Sequence, residues 1–200
     1  MVLTSPNIQI INCSPDLKLA LLDLREVGDF FETASKRELE KRAALHMVQS
    51  VLGNSNAAIL YQENGRPHLN NDAIHISISH SHDKLAVLFS SNEKKIGVDV
   101  ELIRDKVLKI KEKFLSPLEL KRLQDTPVEM YILYWAVKEA VYKAADIEGL
   151  IFSEQIAVEP FSYDENGGTI EACVQRGETQ NFALHYKKID EYMLAYTHNA

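Results

Sequence analysis

Cysteine is scarce: Cys13 and Cys173 are the only two in 200 residues, too few and too isolated for a disulfide framework or a metal cluster. They are expected to be reduced thiols, with a single bridge between them as the alternative. Long hydrophobic runs are also missing, and no stretch approaches the roughly 18 apolar residues that would cross a membrane. The opening Met1-Val2-Leu3-Thr4-Ser5-Pro6-Asn7 has neither the basic start nor the long apolar stretch of a secretory signal. A cytoplasmic chain with no membrane partner is the expectation. An excess of positive charge is the third absence. The net charge is −7, whereas a protein that grips nucleic acid along its surface carries a basic one, so no nucleic-acid partner is expected. What is present is apolar material in quantity, 46% of the residues, enough to build one medium domain or two small ones.

Three helix starts share one device. Ser35-Lys36-Arg37-Glu38, Ser116-Pro117-Leu118-Glu119 and Thr126-Pro127-Val128-Glu129 each place a Glu three residues after a Ser or Thr, the spacing of a reciprocal capping box, two of them with Pro at the first helical position. Behind the first box, Leu39, Ala43, Met47 and Val51 with Ala44, Val48 and Leu52 form an apolar stripe that ends at Gly53-Asn54, which predicts a helix near 36–52. Behind the third, an apolar series from Tyr131 to Ala145 predicts a long, largely buried helix near 127–145. Strands are predicted at 8–12, 57–62, 74–79 and 84–90, then at 95–101, 155–159, 169–175, 181–188 and 191–197, with Asn166-Gly167-Gly168 as a tight turn. The order of strand, long helix and several antiparallel strands occurs twice. An α+β fold is therefore expected, a pseudo-dimer of two similar subdomains, each a long helix packed on a mainly antiparallel sheet. The boundary is placed in the polar stretch Ser90-Ser91-Asn92-Glu93-Lys94, giving subdomains 1–93 and 94–200. A chain that already holds two half-domains is expected to be a monomer.

Local charge runs against the average. Residues 104–122 hold seven basic side chains (Arg104, Lys106, Lys109, Lys111, Lys113, Lys121, Arg122) against three acidic ones (Asp105, Glu112, Glu119). This is either a solvated face or a docking site for an acidic partner.

The residues with chemical potential lie around Ile96-Gly97-Val98-Asp99-Val100-Glu101. Side chains two apart in a strand share a face, so Asp99 and Glu101 project together while Val98 and Val100 enter the core. Two adjacent acids repel, and a hard cation such as Mg²⁺ relieves that repulsion through its preference for carboxylate oxygen. Gly97 inside a strand marks close approach of a ligand or another backbone. Downstream, Glu139 and Lys143 lie four apart on a helix and can offer an acid and a base to one place. Each piece has a plain alternative: exposed acids on a sheet edge, an ordinary surface ion pair, and, for Trp135, a core aromatic. In Ile76-Ser77-Ile78-Ser79-His80-Ser81 an alternating strand runs into a turn, with Ser79, His80 and Ser81 expected at its exposed end.

Together, Gly97-x-Asp99-x-Glu101 and Trp135-x-x-Lys138-Glu139-Ala140-x-x-Lys143 resemble the signature of the 4′-phosphopantetheinyl transferases, and weaker matches extend the resemblance over most of the chain. The resemblance implies a Mg²⁺-dependent enzyme that moves the 4′-phosphopantetheine arm of coenzyme A onto a serine of an acyl or peptidyl carrier protein of fatty-acid, polyketide or nonribosomal peptide synthesis. It implies that Asp99, Glu101 and Glu139 hold Mg²⁺, that Glu139 is also the general base, and that Lys143 and Lys138 face the phosphates. His80, in a Ser-His-Ser element with Ser79, is implied to contact a phosphate of coenzyme A. Gly65-Arg66-Pro67-His68-Leu69 resembles the family's Gly-Lys-Pro-x-Leu element, with Arg66 in place of Lys, so Arg66 and Pro67 are implied cofactor contacts. Arg42 matches a helix Arg that binds the 3′-phosphate, with Lys36 and Lys41 as alternatives in register. The coenzyme A contacts in residues 1–93 and the metal and catalytic residues in 94–200 then divide the work. Acidic carriers give the basic stretch 104–122 a purpose as a docking surface, with apolar help expected from Phe114 and Leu115. A different metal-dependent phosphotransferase or hydrolase acting on coenzyme A, and a non-catalytic module that binds coenzyme A or carriers, are the competing readings.

Overall fold

A computed structural model describes residues 6–27 and 35–198; residues 1–5, read above for a leader, lie outside the described residues. The chain separates into two units, Met1–Lys94 and Lys95–Ala200, and both combine helix with antiparallel sheet.

In the first unit the elements follow as β1 (Gln9–Asn12), β2 (Leu17–Asp23), α1 (Lys36–Leu52), β3 (Ile59–Tyr61), β4 (Pro67–Leu69), β5 (His75–Ser81) and β6 (Lys84–Ser90). The main sheet has the order β1-β2-β6-β5, and β3 pairs with β4 as a separate hairpin. Helix α1 fills the span expected near 36–52. Ser35 Oγ accepts the Glu38 amide at its start, and Gly53, at φ +60 where glycine carries no steric penalty, returns its N–H to the last carbonyls. Ala43, Ala44, Met47 and Val48 on α1 pack with Ala20, Leu22, Val87 and Phe89 of the sheet. Two strands depart from expectation. β2 is absent from the predicted set because Leu17-Lys18-Leu19-Ala20-Leu21-Leu22 has no β-branched residue and little alternation; it is a central strand with almost every position buried. β4 occupies part of what reads as a turn.

The second unit runs β7 (Val98–Leu102), α2 (Pro117–Arg122), α3 (Val128–Ala145), α4 (Phe152–Gln155), β8 (Ile156–Val158), β9 (Gly168–Arg176), β10 (Glu178–Ile189) and β11 (Tyr192–Thr197), in a sheet of order β7-β11-β10-β9-β8. Short 3₁₀ turns at Asp105–Lys109 and Lys111–Lys113 lead into α2. In each unit the strand before the long helix pairs antiparallel with the unit's last strand, β2 with β6 and β7 with β11. The three capping boxes fare differently. At Ser116 both arms form. At Thr126 the box does not form: Pro127 is the N-cap and no side chain caps the helix. The Thr126 hydroxyl instead donates to Leu123 O at 2.8 Å, and Glu129 accepts from Lys188 of β10 at 2.8 Å. A backward turn and a tertiary ion pair thus take both arms.

Helix α3 packs Ala136, Val137, Ala140, Val141 and Ala144 with Val174, Phe182, Leu184, Met193 and Ala195 of the sheet. It comes close to the backbone at Gly97, the residue before β7, where an added Cβ would lie 1.9 Å from Ala140 O and 3.0 Å from Ala144 N. The Gly97 N–H donates to Thr197 Oγ1 at 2.9 Å and Gly97 O accepts the Thr197 amide at 2.9 Å, so the strand is tied on one side while the helix presses on the other. Both cysteines are free thiols. Among the described residues no helix is long and apolar enough to cross a membrane.

A methyl group at position 97 must displace backbone rather than a pliable side chain. Gly97→Ala is expected to destabilise the protein by about 1–3 kcal/mol, seen as a lower urea midpoint at constant slope; an unchanged midpoint would show that α3 can retreat freely.

Candidate functional site

Asp99 and Glu101 stand on the face of β7 that carries Ala195 and Met193 opposite them in register, the face that α3 covers. Val98 and Val100, on the other face, are buried as well. Asp99 is only 3% exposed, so an acid resting in solvent at a sheet edge is ruled out. Its Oδ1 accepts from Lys143 Nζ at 2.7 Å, and the same ammonium donates to Val98 O at 2.9 Å. Two turns earlier on α3, Trp135 Nε1 donates to Glu101 Oε1 at 3.1 Å. Trp135, Glu139 and Lys143 are spaced four apart and form one ridge of the helix; the ridge runs against β7, with its first member on Glu101 and its last on Asp99. Between them lies half-buried Glu139. Its carboxyl is pushed up to about 7 by burial first and then by the Asp99 charge, with Lys143 opposing and Glu101 adding a smaller push in the same direction.

Three carboxylates and one ammonium therefore share one electrostatic neighbourhood. Among the described residues no three His, Cys, Asp or Glu side chains are grouped closely enough to hold a metal ion as they stand; Lys143 engages Asp99 and Trp135 engages Glu101. The donor set nonetheless fits a hard divalent cation. It is all carboxylate oxygen, and Asp99 and Glu101 both push the Glu139 carboxyl up, a repulsion that a cation would relieve.

Lys138, expected at a phosphate, is 0% exposed, and its ammonium donates to Phe114 O at 2.7 Å, Glu119 Oε2 at 2.7 Å and Phe152 O at 3.0 Å. Those three bonds use the three donors an ammonium has. Burial pulls its pKa down and the Glu119 charge opposes that pull. Glu119 is equally committed: it accepts the Ser116 amide at 2.8 Å and the Val158 amide at 3.0 Å.

Phe114 and Leu115 require a correction. Expected to help a docking surface, they are 0% and 1% exposed and belong to the core beside α3, with the Phe114 and Trp135 rings in a T-shaped contact, centroids 5.0 Å apart. The apolar residues that segment does expose are Leu108 and Leu118. Arg104, Lys106, Lys109, Lys113 and Lys121 are exposed against Asp105 and Glu112. Lys111 lies over the Tyr131 ring at 5.7 Å, and Arg122 turns inward to Val158 O at 2.9 Å.

In the first unit, β5 continues through Ser81, which pairs with Lys84, so the turn falls at His82, with φ +50. Ser79 and Ser81 are consequently buried rather than exposed at a strand end, and His80, alternating with them, points outward with Nδ1 3.4 Å from Glu40 Oε1 on α1. The Arg66 amide donates to Asn64 Oδ1 at 3.0 Å, and its guanidinium lies 3.5 Å from Lys94 O. Pro67 opens β4 opposite Tyr61. Arg42 makes an exposed pair with Glu38 at 2.9 Å. Two residues escape sequence reasoning, Trp135 as the donor that orients Glu101 and Glu119 as the partner of Lys138. The one signal for the latter is that Lys138 sits in a stretch of α3 apolar on nearly every side.

The two ion pairs should behave unlike each other. Lys138→Ala is expected to cost about 3–5 kcal/mol, because it strands the Glu119 charge in the interior, whereas Arg42→Ala should cost less than about 1 kcal/mol; urea unfolding of both variants checks the contrast.

Residues 95–197, which hold β7, α3 and both halves of the acid site, match the profile of the 4′-phosphopantetheinyl transferase superfamily. The 4′-phosphopantetheinyl transferase gsp of Aneurinibacillus migulanus is 35% identical over 105 residues, 50% of this chain and 43% of that protein. The 4′-phosphopantetheinyl transferase of Bacillus subtilis is 29% identical over 140 residues, 67% of this chain and 59% of that one. The chain thus spans about half the length of the curated relatives it matches. With more than half of its residues inside the matched region, the chain belongs to the 4′-phosphopantetheinyl transferase superfamily.

Proposed function

We propose that this chain transfers the 4′-phosphopantetheine group of coenzyme A to a serine of an acyl or peptidyl carrier protein and releases adenosine 3′,5′-bisphosphate. The observation that carries the reading is the ridge Trp135, Glu139, Lys143 facing Asp99 and Glu101, inside the region shared with the family. Two subdomains of similar build, the first contributing to coenzyme A and the second to chemistry, fit the same reading.

Asp99, Glu101 and Glu139 would hold Mg²⁺, which when bound supplies positive charge against the pyrophosphate and the departing bisphosphate. The serine oxygen forms a new bond to the phosphorus that carries the pantetheine arm. The bond from that phosphorus to the oxygen of the bisphosphate breaks, and its electron pair leaves with the bisphosphate. Glu139 takes the proton of the serine hydroxyl. Lys143 keeps Asp99 in place and brings an ammonium to the transferring phosphoryl group, and Trp135 keeps Glu101 oriented. His80 and Arg66 offer charge to the phosphates of coenzyme A, with Pro67 and Ser79 fixing the backbone beside them. Arg42 would bind the 3′-phosphate by exchanging its exposed bond to Glu38 for a stronger one. The carrier docks on the exposed basic residues of 104–122, with Leu108 and Leu118 as the apolar contacts.

Incubation with coenzyme A, Mg²⁺ and an apo carrier should add the pantetheinyl mass to the carrier serine. Coenzyme A consumed without an adduct would point to a hydrolase, and no turnover at all to a binding module. Asp99→Ala should abolish transfer. Mg²⁺ should raise the melting temperature of the wild-type protein, by about 2–4 °C for each kcal/mol of binding, and leave that of Asp99→Ala unmoved.

Charge reversal at Lys109, Lys113 and Lys121 should raise the carrier KM and alter its salt dependence while sparing coenzyme A. Unchanged carrier kinetics would remove 104–122 as the docking surface.

A further inference from the structure

We propose that Lys138 is a positioning residue that joins the catalytic helix to the carrier-docking segment, holding the Phe114–Glu119 corner in fixed relation to the neighbouring Glu139. This deepens the functional reading above and rests on it. The connection is built from bonds already described. The Lys138 ammonium is shared by Phe114 O and Glu119 Oε2, both in the basic segment, and by Phe152 O at the start of α4. Glu119 passes the restraint on, to the Ser116 amide at the head of α2 and to the Val158 amide of β8. On its outer side the same short stretch of backbone carries Lys113, Leu118 and Lys121, all exposed. Anchor and docking surface are thus alternate residues of one corner.

The corner touches both flanks of the general base. Lys138 precedes Glu139 in sequence, and the Phe114 ring packs in a T-shaped contact with Trp135, one turn before Glu139, with ring centroids 5.0 Å apart. Apolar packing alone would let α2 slide along α3. An ammonium with three fixed acceptors and a carboxylate holding two amides besides that ammonium do not. A carrier seated on Lys113, Leu118 and Lys121 would therefore present its serine at a distance from Glu139 set by one buried side chain. With every donor used, Lys138 has none left for a phosphate unless this link is broken first.

The test separates a link to the carrier from a contact to coenzyme A. Steady-state transfer is measured with each substrate varied in turn, for wild type, Glu119→Gln, and the double variant Lys138→Met with Glu119→Gln, which removes both charges together and so avoids leaving one stranded. Expected is a rise in carrier KM of about fivefold or more, a coenzyme A KM unchanged, and faster amide hydrogen exchange over 111–122 in both variants. A raised coenzyme A KM with a normal carrier KM would show that Lys138 meets a phosphate and would overturn the proposal, as would no change in either. If the double variant fails to fold, Glu119→Gln alone decides by the same criteria, since it keeps two of the three acceptors of Lys138. A wild-type protein that modifies no carrier overturns the functional reading itself; a normal wild type with only coenzyme A affected in the variants overturns this inference alone.

Discussion

The contact on which the second unit depends is between backbones. Helix α3 can lie against the first residues of β7 only because position 97 has no side chain: a carbonyl oxygen of the helix occupies the space a methyl group would need. That approach sets the distance at which every side chain on the ridge of α3 meets the strand. Were the helix a methyl diameter farther out, Lys143 would not span to Asp99 while also holding Val98 O, and Trp135 would not reach Glu101. Ala140 and Ala144, small residues on the facing side of the helix, are the matching half of the arrangement.

Charge is then placed with economy on the same helix. Lys138 and Lys143 differ little in sequence context, yet one is sealed inside a network of carbonyls and a carboxylate while the other borders the acids with some exposure to solvent. A buried ammonium is tolerated only with a full set of partners, and Lys138 has them from three separate elements. Lys143, with an acid and a carbonyl, keeps capacity for a further anion. Spacing on the helix decides the difference, since position 138 lies off the ridge that carries 135, 139 and 143.

What could be read from the sequence follows from how local each signal is. The long helices α1 and α3, with their stripes and the glycine stop at 53, and the hairpin strands β9 to β11 are legible because propensity, alternation and turn residues agree. β2 is not, because burial on both faces erases the alternation by which a strand is recognised, and its leucines suit a helix as well. The Thr126 box has the right letters but loses to two competitors the local sequence does not show, a carbonyl behind it and a lysine on β10. In the site, the acids and Lys143 are legible through spacing. Ser79 and Ser81 are not, since their burial depends on the strand running two residues beyond where its apolar pattern fades. The surroundings of Lys138 are not legible, because its three acceptors come from Phe114, Glu119 and Phe152, which only the fold brings to it.

Trp135 is the single tryptophan among the 200 residues, and its indole N–H rests on the carboxylate of Glu101. All indole emission from this protein thus originates at one edge of the acid cluster, from a ring whose hydrogen-bond acceptor is one of the three acids. The chain carries its own optical reporter, at the place where a change in charge would matter most, and needs no label for it to be observed.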